Sequence, residues 1–169
     1  TASGIIVATV CVVWLLQAIP AVPVAAFGQV PVEQSLYAAM ASAITPVFGP
    51  AGFASWQTVS ALVVGVVAKE AVISSWAQTY AVADPTAGQP VAELGARIQA
   101  EFAASSGGHP LPAVVAFMVF LLAYTPCVAT LAAQRREIGL RWTLFGIALQ
   151  LVVAYALAVV VFQVGVLLW

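Results

Sequence analysis

The run WTLFGIALQLVVAYALAVVVFQVGVLLW, residues 142–169, decides the class of fold. About 20 apolar residues, rising 1.5 Å each, cross the hydrocarbon of a bilayer. This run exceeds that length and carries an indole at each end, Trp142 and Trp169, where interfacial aromatics are favoured. The rest of the chain has the same character: of 169 residues, 63% are hydrophobic and only 7% are charged. A soluble domain holds roughly 45–50% apolar and about 25% charged residues, so this chain cannot cover a globule with polar surface. The expected fold is all-α, a polytopic transmembrane bundle of about four spanning helices with one short additional helix.

Upstream of that run, a span is expected over residues 111–133, starting after His109-Pro110, and another over 54–80. The first span, 4–19, is stopped by Pro20 and Pro23, because proline has no N–H to donate and blocks the helix behind it. The segment 32–48, closed by Pro46, Gly49, Pro50 and Gly52, is apolar but too short to cross, so it reads as surface-lying or re-entrant. In the loop 81–109, Leu94, Ile98 and Phe102 recur every fourth residue beside a charged row of Glu93, Arg97 and Glu101. That pattern predicts a short amphipathic helix outside the membrane, the alternative being a mobile insertion without function. Gly146, Gln150, Ala154 and Ala158 share a four-residue spacing and read as a helix contact face. Arg135, Arg136 and Arg141 form the basic cluster, which by the positive-inside rule lies in the cytoplasm.

Several function classes drop out. A net charge of −1 offers no field for nucleic acid. Cys11, Cys127 and the single His109 build no zinc, haem or iron–sulfur spacing and no disulfide framework. Cys11, between valines, reads as packing. The stretch from Ile5 to Leu16 lacks the basic lead and cleavage site of a signal peptide. A chain that starts at Thr1 reads as a fragment or a processed product.

In so apolar a chain the costly residues are the informative ones. Lys69 and Glu70 stand mid-span in the second expected helix, where an ionised side chain costs roughly 2.5–3.5 kcal/mol. Adjacent helical residues point about 100° apart, so each needs its own partner on another helix or in a wet cavity. Glu70, Ser74 and Gln78 follow at four-residue spacing as a polar stripe. The stripe lines a cation path, or else Lys69 and Glu70 are interhelical struts. A hydrolase built on Lys69 with Ser74 or Ser75 is disfavoured, because neither serine shares the lysine's helical face. In the third span, Pro126 removes a backbone donor and frees the carbonyl of Leu122, which can serve as an oxygen ligand. Tyr124, Cys127 and Thr130 are expected on one face with Gln134. A thiol, two hydroxyls and a loose carbonyl suit a borderline divalent ion better than sodium or magnesium.

The segments Ile44-Thr45-Pro46-Val47-Phe48-Gly49-Pro50-Ala51-Gly52-Phe53, Gly65-Val66-Val67-Ala68-Lys69-Glu70 and Tyr124-Thr125-Pro126-Cys127-Val128-Ala129-Thr130, with Arg135-Arg136-Glu137 and Trp142 after them, resemble the C-terminal gate region of the ferrous iron transport protein B (FeoB) family. The resemblance covers nearly all the chain except the loop 81–109. It implies a multi-pass protein of the bacterial cytoplasmic (inner) membrane that passes Fe(II) as transported substrate, with no cofactor bound by this segment. It implies Cys127 as the favoured metal contact; the residues themselves suggest Glu70 as carboxylate, with Thr130, Tyr124 and the Leu122 carbonyl as secondary contacts. Lys69, Ser74, Gln78, Pro126 and Leu122 would border the path. Expected partners are the lipid membrane, the remaining FeoB-like polypeptide with its GTP-binding domain and first gate half, small FeoA- and FeoC-like proteins, and a second copy in a homo-oligomer. No Gly-x-x-x-x-Gly-Lys-Ser/Thr occurs, so no nucleotide binding and no enzymatic activity are expected of this chain. A membrane scaffold or a gate-type carrier of another substrate is the alternative.

Overall fold

The computed structural model of the chain describes residues 2–21, 32–67, 69, 71–80 and 91–168. Regular structure among them is helical, apart from one isolated bridge between Pro20 and Ser35. Helix α1 (Ala2–Ala18) stops at Pro20 as the sequence requires. Its end is tied to the start of the next element by Ala21 N–H to Gln34 O, 2.8 Å, and Leu36 N–H to Ile19 O, 2.9 Å. Cys11, expected to pack, is exposed on α1.

The expected short helix over 32–48 splits into a 3-10 turn (Val32–Gln34), helix α2 (Leu36–Ile44) and a second 3-10 stretch (Thr45–Ala51). Ser35 caps α2 by accepting from Ala38 N–H at 3.2 Å. Pro46 then sits in the first positions of the 3-10 stretch, where its missing N–H costs nothing. Gly52 follows at φ 80°, and a Cβ there would lie 2.2 Å from the ring of Phe162. Both the left-handed backbone and the close approach therefore demand glycine. Beyond it the chain enters α3 (Trp56–Val67), bent by 102° from the preceding helix. Such a bend is the shape of a broken or re-entrant span.

Two of the expected spans are interrupted. The span over 54–80 divides into α3 and α4 (Ala71–Thr79), with Lys69 in the turn between them. The span over 111–133 divides at Thr125–Cys127, between α6 (Pro110–Ala123) and α7 (Val128–Leu168). Helix α7 is itself two helices, 128–138 and 140–168, joined at Gly139 with φ 79° and ψ 165°. Among the described residues, one apolar helical stretch long enough to cross a membrane lies within Pro110–Leu168, and the bent pair Leu36–Ala51 with Trp56–Val66 adds a second if taken as one span.

Helices α6 and α7 form the spine. Gly165 lies so close to Pro112 that a Cβ would come within 2.8 Å of that ring, so the two helices run antiparallel. Ala154 and Ala158 are fully buried in this contact, as small residues at an interface must be. Gln150, expected on the same face, is exposed, and the buried line continues instead through Phe162 to Gly165.

At one end of the spine an aromatic cluster holds the remaining helices. Phe53 meets Phe117 edge-on at 5.6 Å, Phe48 meets Phe120 at 5.3 Å, and Trp76 lies 5.2 Å from Phe117. Offset and edge-to-face pairs of this kind add about 0.5–1.5 kcal/mol each beyond area burial. The amphipathic helix expected in the loop is α5 (Val91–Ser105). Leu94 and Phe102 are buried, Ile98 is half-buried, and Phe102 lies 5.6 Å from Phe117. α5 is thus folded onto the bundle. Of the expected row of charges, Arg97 is exposed and donates to Tyr80 O at 3.2 Å, Glu101 is half-buried, and the side chain of Glu93 lies outside the described residues.

Candidate functional site

The two breaks meet. Pro126 cannot donate to the carbonyl four residues back, and α6 stops at Ala123. The carbonyl so released, Leu122 O, accepts from the Lys69 ammonium at 3.1 Å. The same ammonium stands 5.3 Å from the centroid of the Tyr124 ring, within cation–π range. One turn therefore supplies the cation and the other the acceptor. Each had its own signal in the sequence, an ammonium at lipid depth and a proline in a helix, but their pairing is a tertiary fact.

Tyr124 locks the junction. It is 2% exposed, stacks on Phe120 at 5.3 Å and donates its hydroxyl to Leu62 O at 3.1 Å. Gly65 permits this, because a Cβ there would stand 2.9 Å from the Tyr124 oxygen and 2.9 Å from Val72. The Gly65 to Lys69 motif and the Tyr124 to Cys127 motif are thus two sides of one contact. This corrects the expectation that Tyr124 shares a helical face with Cys127 and Thr130. The helix ends at Tyr124, so its side chain turns into the core while Cys127 and Thr130 belong to the start of α7.

Cys127 stands just before α7, and its carbonyl accepts the first intrahelical bond, from Leu131 N–H at 3.0 Å. Its Sγ lies 3.3 Å from Thr130 Oγ1, so thiol and hydroxyl form a mixed soft and hard donor pair. Cys127 is partly accessible and Thr130 is exposed. Between the two motif halves sits a group to which the sequence alone does not point. Thr125 is 7% exposed, and its hydroxyl is buried without a hydrogen-bond partner. Leaving such a group unpaired costs about 1–3 kcal/mol, and a break in the helix ladder is where a ligand would offset it.

The other expected site residues are placed unevenly. Ser74 is exposed on α4. Glu70 and the side chain of Gln78 lie outside the described residues. Among the described residues no three of His, Cys, Asp and Glu converge on a metal position. What the site offers is an ammonium, a freed carbonyl, an orphan hydroxyl and a thiol–hydroxyl pair, all at or beside two interrupted helices.

The described residues thus form a helical domain in which two helix breaks touch. The chain belongs to the Gate family, described by nucleoside recognition, whose pattern matches residues 1–141. It is similar to the Fe(2+) transporter FeoB of Methanocaldococcus jannaschii, 33% identical over 138 residues that make up 82% of this chain and 18% of that protein. It is also similar to the Fe(2+) transporter FeoB of Staphylococcus aureus, 42% identical over 117 residues, 69% of this chain and 16% of that protein. A third relative, from Porphyromonas gingivalis, is a fusion of Fe(2+) transport protein A with Fe(2+) transporter FeoB, 32% identical over 80% of this chain and 16% of its own length. The chain therefore spans less than a fifth of these relatives. No solved structure matches it. Together with the apolar spine, these likenesses make the chain part of a membrane protein.

Proposed function

We propose that this chain is the gate portion of a Fe(II) transporter of the bacterial cytoplasmic membrane, crossing the bilayer four times and working with a GTP-binding domain carried elsewhere in the polypeptide. The chain is a conduit and not an enzyme. The observation that carries this reading is the meeting of two helix breaks at Lys69 and Leu122, a short way along the chain from the thiol of Cys127. Broken helices at membrane depth are tolerated only where they are buried in protein or line a water-filled path.

In this reading Fe(II), the substrate, meets Cys127 as soft ligand, with Thr130 and the orphan hydroxyl of Thr125 as hard ones and Glu70 as carboxylate. A cation uses the Leu122 carbonyl only when the Lys69 ammonium leaves it, so closed and open states differ by the movement of one charge. Tyr124, whose hydroxyl is engaged with Leu62, positions that charge and is not itself a ligand. Conduction needs ligands strong enough to strip water yet weak enough to release the ion, and one thiol with a few oxygens meets that demand better than a four-cysteine cage.

Cys127→Ser and Glu70→Ala, each in the complete transporter, test the assignment by radioactive iron uptake in cells. We expect uptake to fall at least tenfold in Cys127→Ser and several-fold in Glu70→Ala, with membrane insertion unchanged. Wild-type uptake by both variants, together with no protection of the Cys127 thiol from alkylation by Fe(II), would instead make the chain a scaffold.

A further inference from the structure

Helices α3 and α4 fold back on each other at the Lys69 turn. In one continuous helix Gly65 and Val72 would stand about 10 Å apart. A Cβ on Gly65 would instead lie 2.9 Å from a methyl group of Val72, and Val72 N–H donates to Lys69 O at 3.3 Å across the turn. The far ends of the pair agree. Arg97 donates to Tyr80 O, just past α4, and Ser105 donates to Gly52 O, just ahead of α3, each at 3.2 Å. These donors stand about 12 Å apart along α5, whereas a straight helix over 54–80 would hold its ends about 39 Å apart. The segment therefore enters and leaves on one side of the bundle.

Length and depth fit a hairpin that goes in and comes back. α3 has 12 residues and α4 has 9, about 18 and 14 Å, and neither crosses the roughly 30 Å of hydrocarbon in a bilayer. From Pro110 to Leu122, α6 also runs about 18 Å, so the Lys69 tip and the carbonyl it meets lie at one depth. The base lies where Gly52 meets Phe162 and Pro112 meets Gly165, away from Gly139 and the arginines near it. With the arginines in the cytoplasm, the hairpin enters from the outer face.

Base and tip are held differently. At the base, Phe102 of α5 meets Trp76 of α4 at 6.3 Å and Phe117 of α6 at 5.6 Å, so buried rings fasten hairpin to spine. On the flank, buried Tyr37 of α2 donates to Ser60 O of α3. At the tip the fastening is polar, the Lys69 ammonium on Leu122 O. That contact is exposed, so it can be made and broken with the aromatic core intact.

We propose that α3 and α4 form a re-entrant gate, latched at its base by α5, whose tip seats the Lys69 ammonium on Leu122 O as a tethered plug. The proposal rests on the transport reading above and turns its second crossing, over 54–80, into a passage in and back. Opening lifts the tip and uncovers Cys127 from the outer face.

Topology is tested in the complete transporter with Gly49→Cys and Gly95→Cys, two places where a Cβ meets nothing within 4 Å, and with Glu137→Cys at the arginine end. A membrane-impermeant maleimide labels the first two in right-side-out vesicles and the third in inside-out vesicles. Labelling of Gly49→Cys and Gly95→Cys on opposite faces, or of both on the face of Glu137→Cys, overturns the hairpin. Gating is read from the rate at which the same reagent alkylates Cys127 from the outer face, followed by mass spectrometry of its peptide. Lys69→Met, and Arg97→Ala combined with Ser105→Ala, each raise that rate at least threefold. A wild-type rate in Lys69→Met overturns the plug, and a wild-type rate in the α5 pair overturns the latch. Normal iron uptake by Cys127→Ser overturns the transport reading instead and leaves the labelling pattern to decide the hairpin.

Discussion

The aromatic cluster and the paired breaks share helices α4 and α6 and are built in opposite ways. Around Phe53, Phe102, Phe117 and Trp76 the rings are buried at 3% exposure or less and each meets at least one other ring edge-on or tilted. Around Lys69, Leu122 and Cys127 the backbone ladder is interrupted and Leu122 is 77% exposed, while each region holds one buried polar atom without a partner, Trp76 Nε1 in the first and Thr125 Oγ1 in the second. The first region devotes its side-chain volume to a single packing. The second brings polar groups together where two helices are interrupted.

Three substitutions sharpen the contrast, from the largest effect on stability to the smallest. Phe117→Ala empties the centre of the cluster and should cost about 3–5 kcal/mol, seen as a large drop in melting temperature of the detergent-solubilised transporter and as lost expression. Gly65→Ala acts at the seam. Its Cβ would press on the Tyr124 oxygen and on Val72, so a cost of about 1–3 kcal/mol is expected together with reduced iron uptake, because Tyr124 positions the Lys69 charge. Thr125→Val removes the orphan hydroxyl at near-constant volume. Stability should hold or rise by up to about 1 kcal/mol, while uptake falls several-fold. Melting curves and uptake assays on the same preparations separate these outcomes, and a Thr125→Val protein with normal uptake would place the threonine with the scaffold.

Much of the fold is legible in the sequence because its causes are local. Pro20 ends α1, and Leu94, Ile98 and Phe102 present one apolar stripe that packs as its period requires. Pro126 announces the break in the third span from its chemistry alone. The break at Lys69 has no such sharp local signal. Residues 56–79 hold no proline, and their local weakness is the run Val63-Val64-Gly65-Val66-Val67, poor in helix propensity but not a stop signal in itself. At that break Gly65 and Lys69 meet Tyr124 and Leu122 across the chain, a pairing no local pattern announces.

The site shows the same boundary. Pro126, Cys127, Thr130 and Lys69 stand out as costly or chemically apt, and Cys127 with Thr130 falls together as helical spacing demands. Tyr124 cannot be oriented from the sequence, because spacing along a helix loses its meaning at the residue where the helix stops. Thr125 gives no signal at all, since a threonine beside a proline draws no notice until its surroundings are known. Cys11 illustrates the converse: apolar neighbours along the chain do not tell whether they face protein or the outside.

Gly139 carries a mechanical consequence. It is one non-helical residue between two stiff segments, and residues 128–138 contain no glycine or proline that would soften them. A push delivered at Arg135 or Arg136 therefore travels about 12 Å along an unbroken rod to Cys127, with the single left-handed residue serving as fulcrum and nothing slack in between to absorb the stroke.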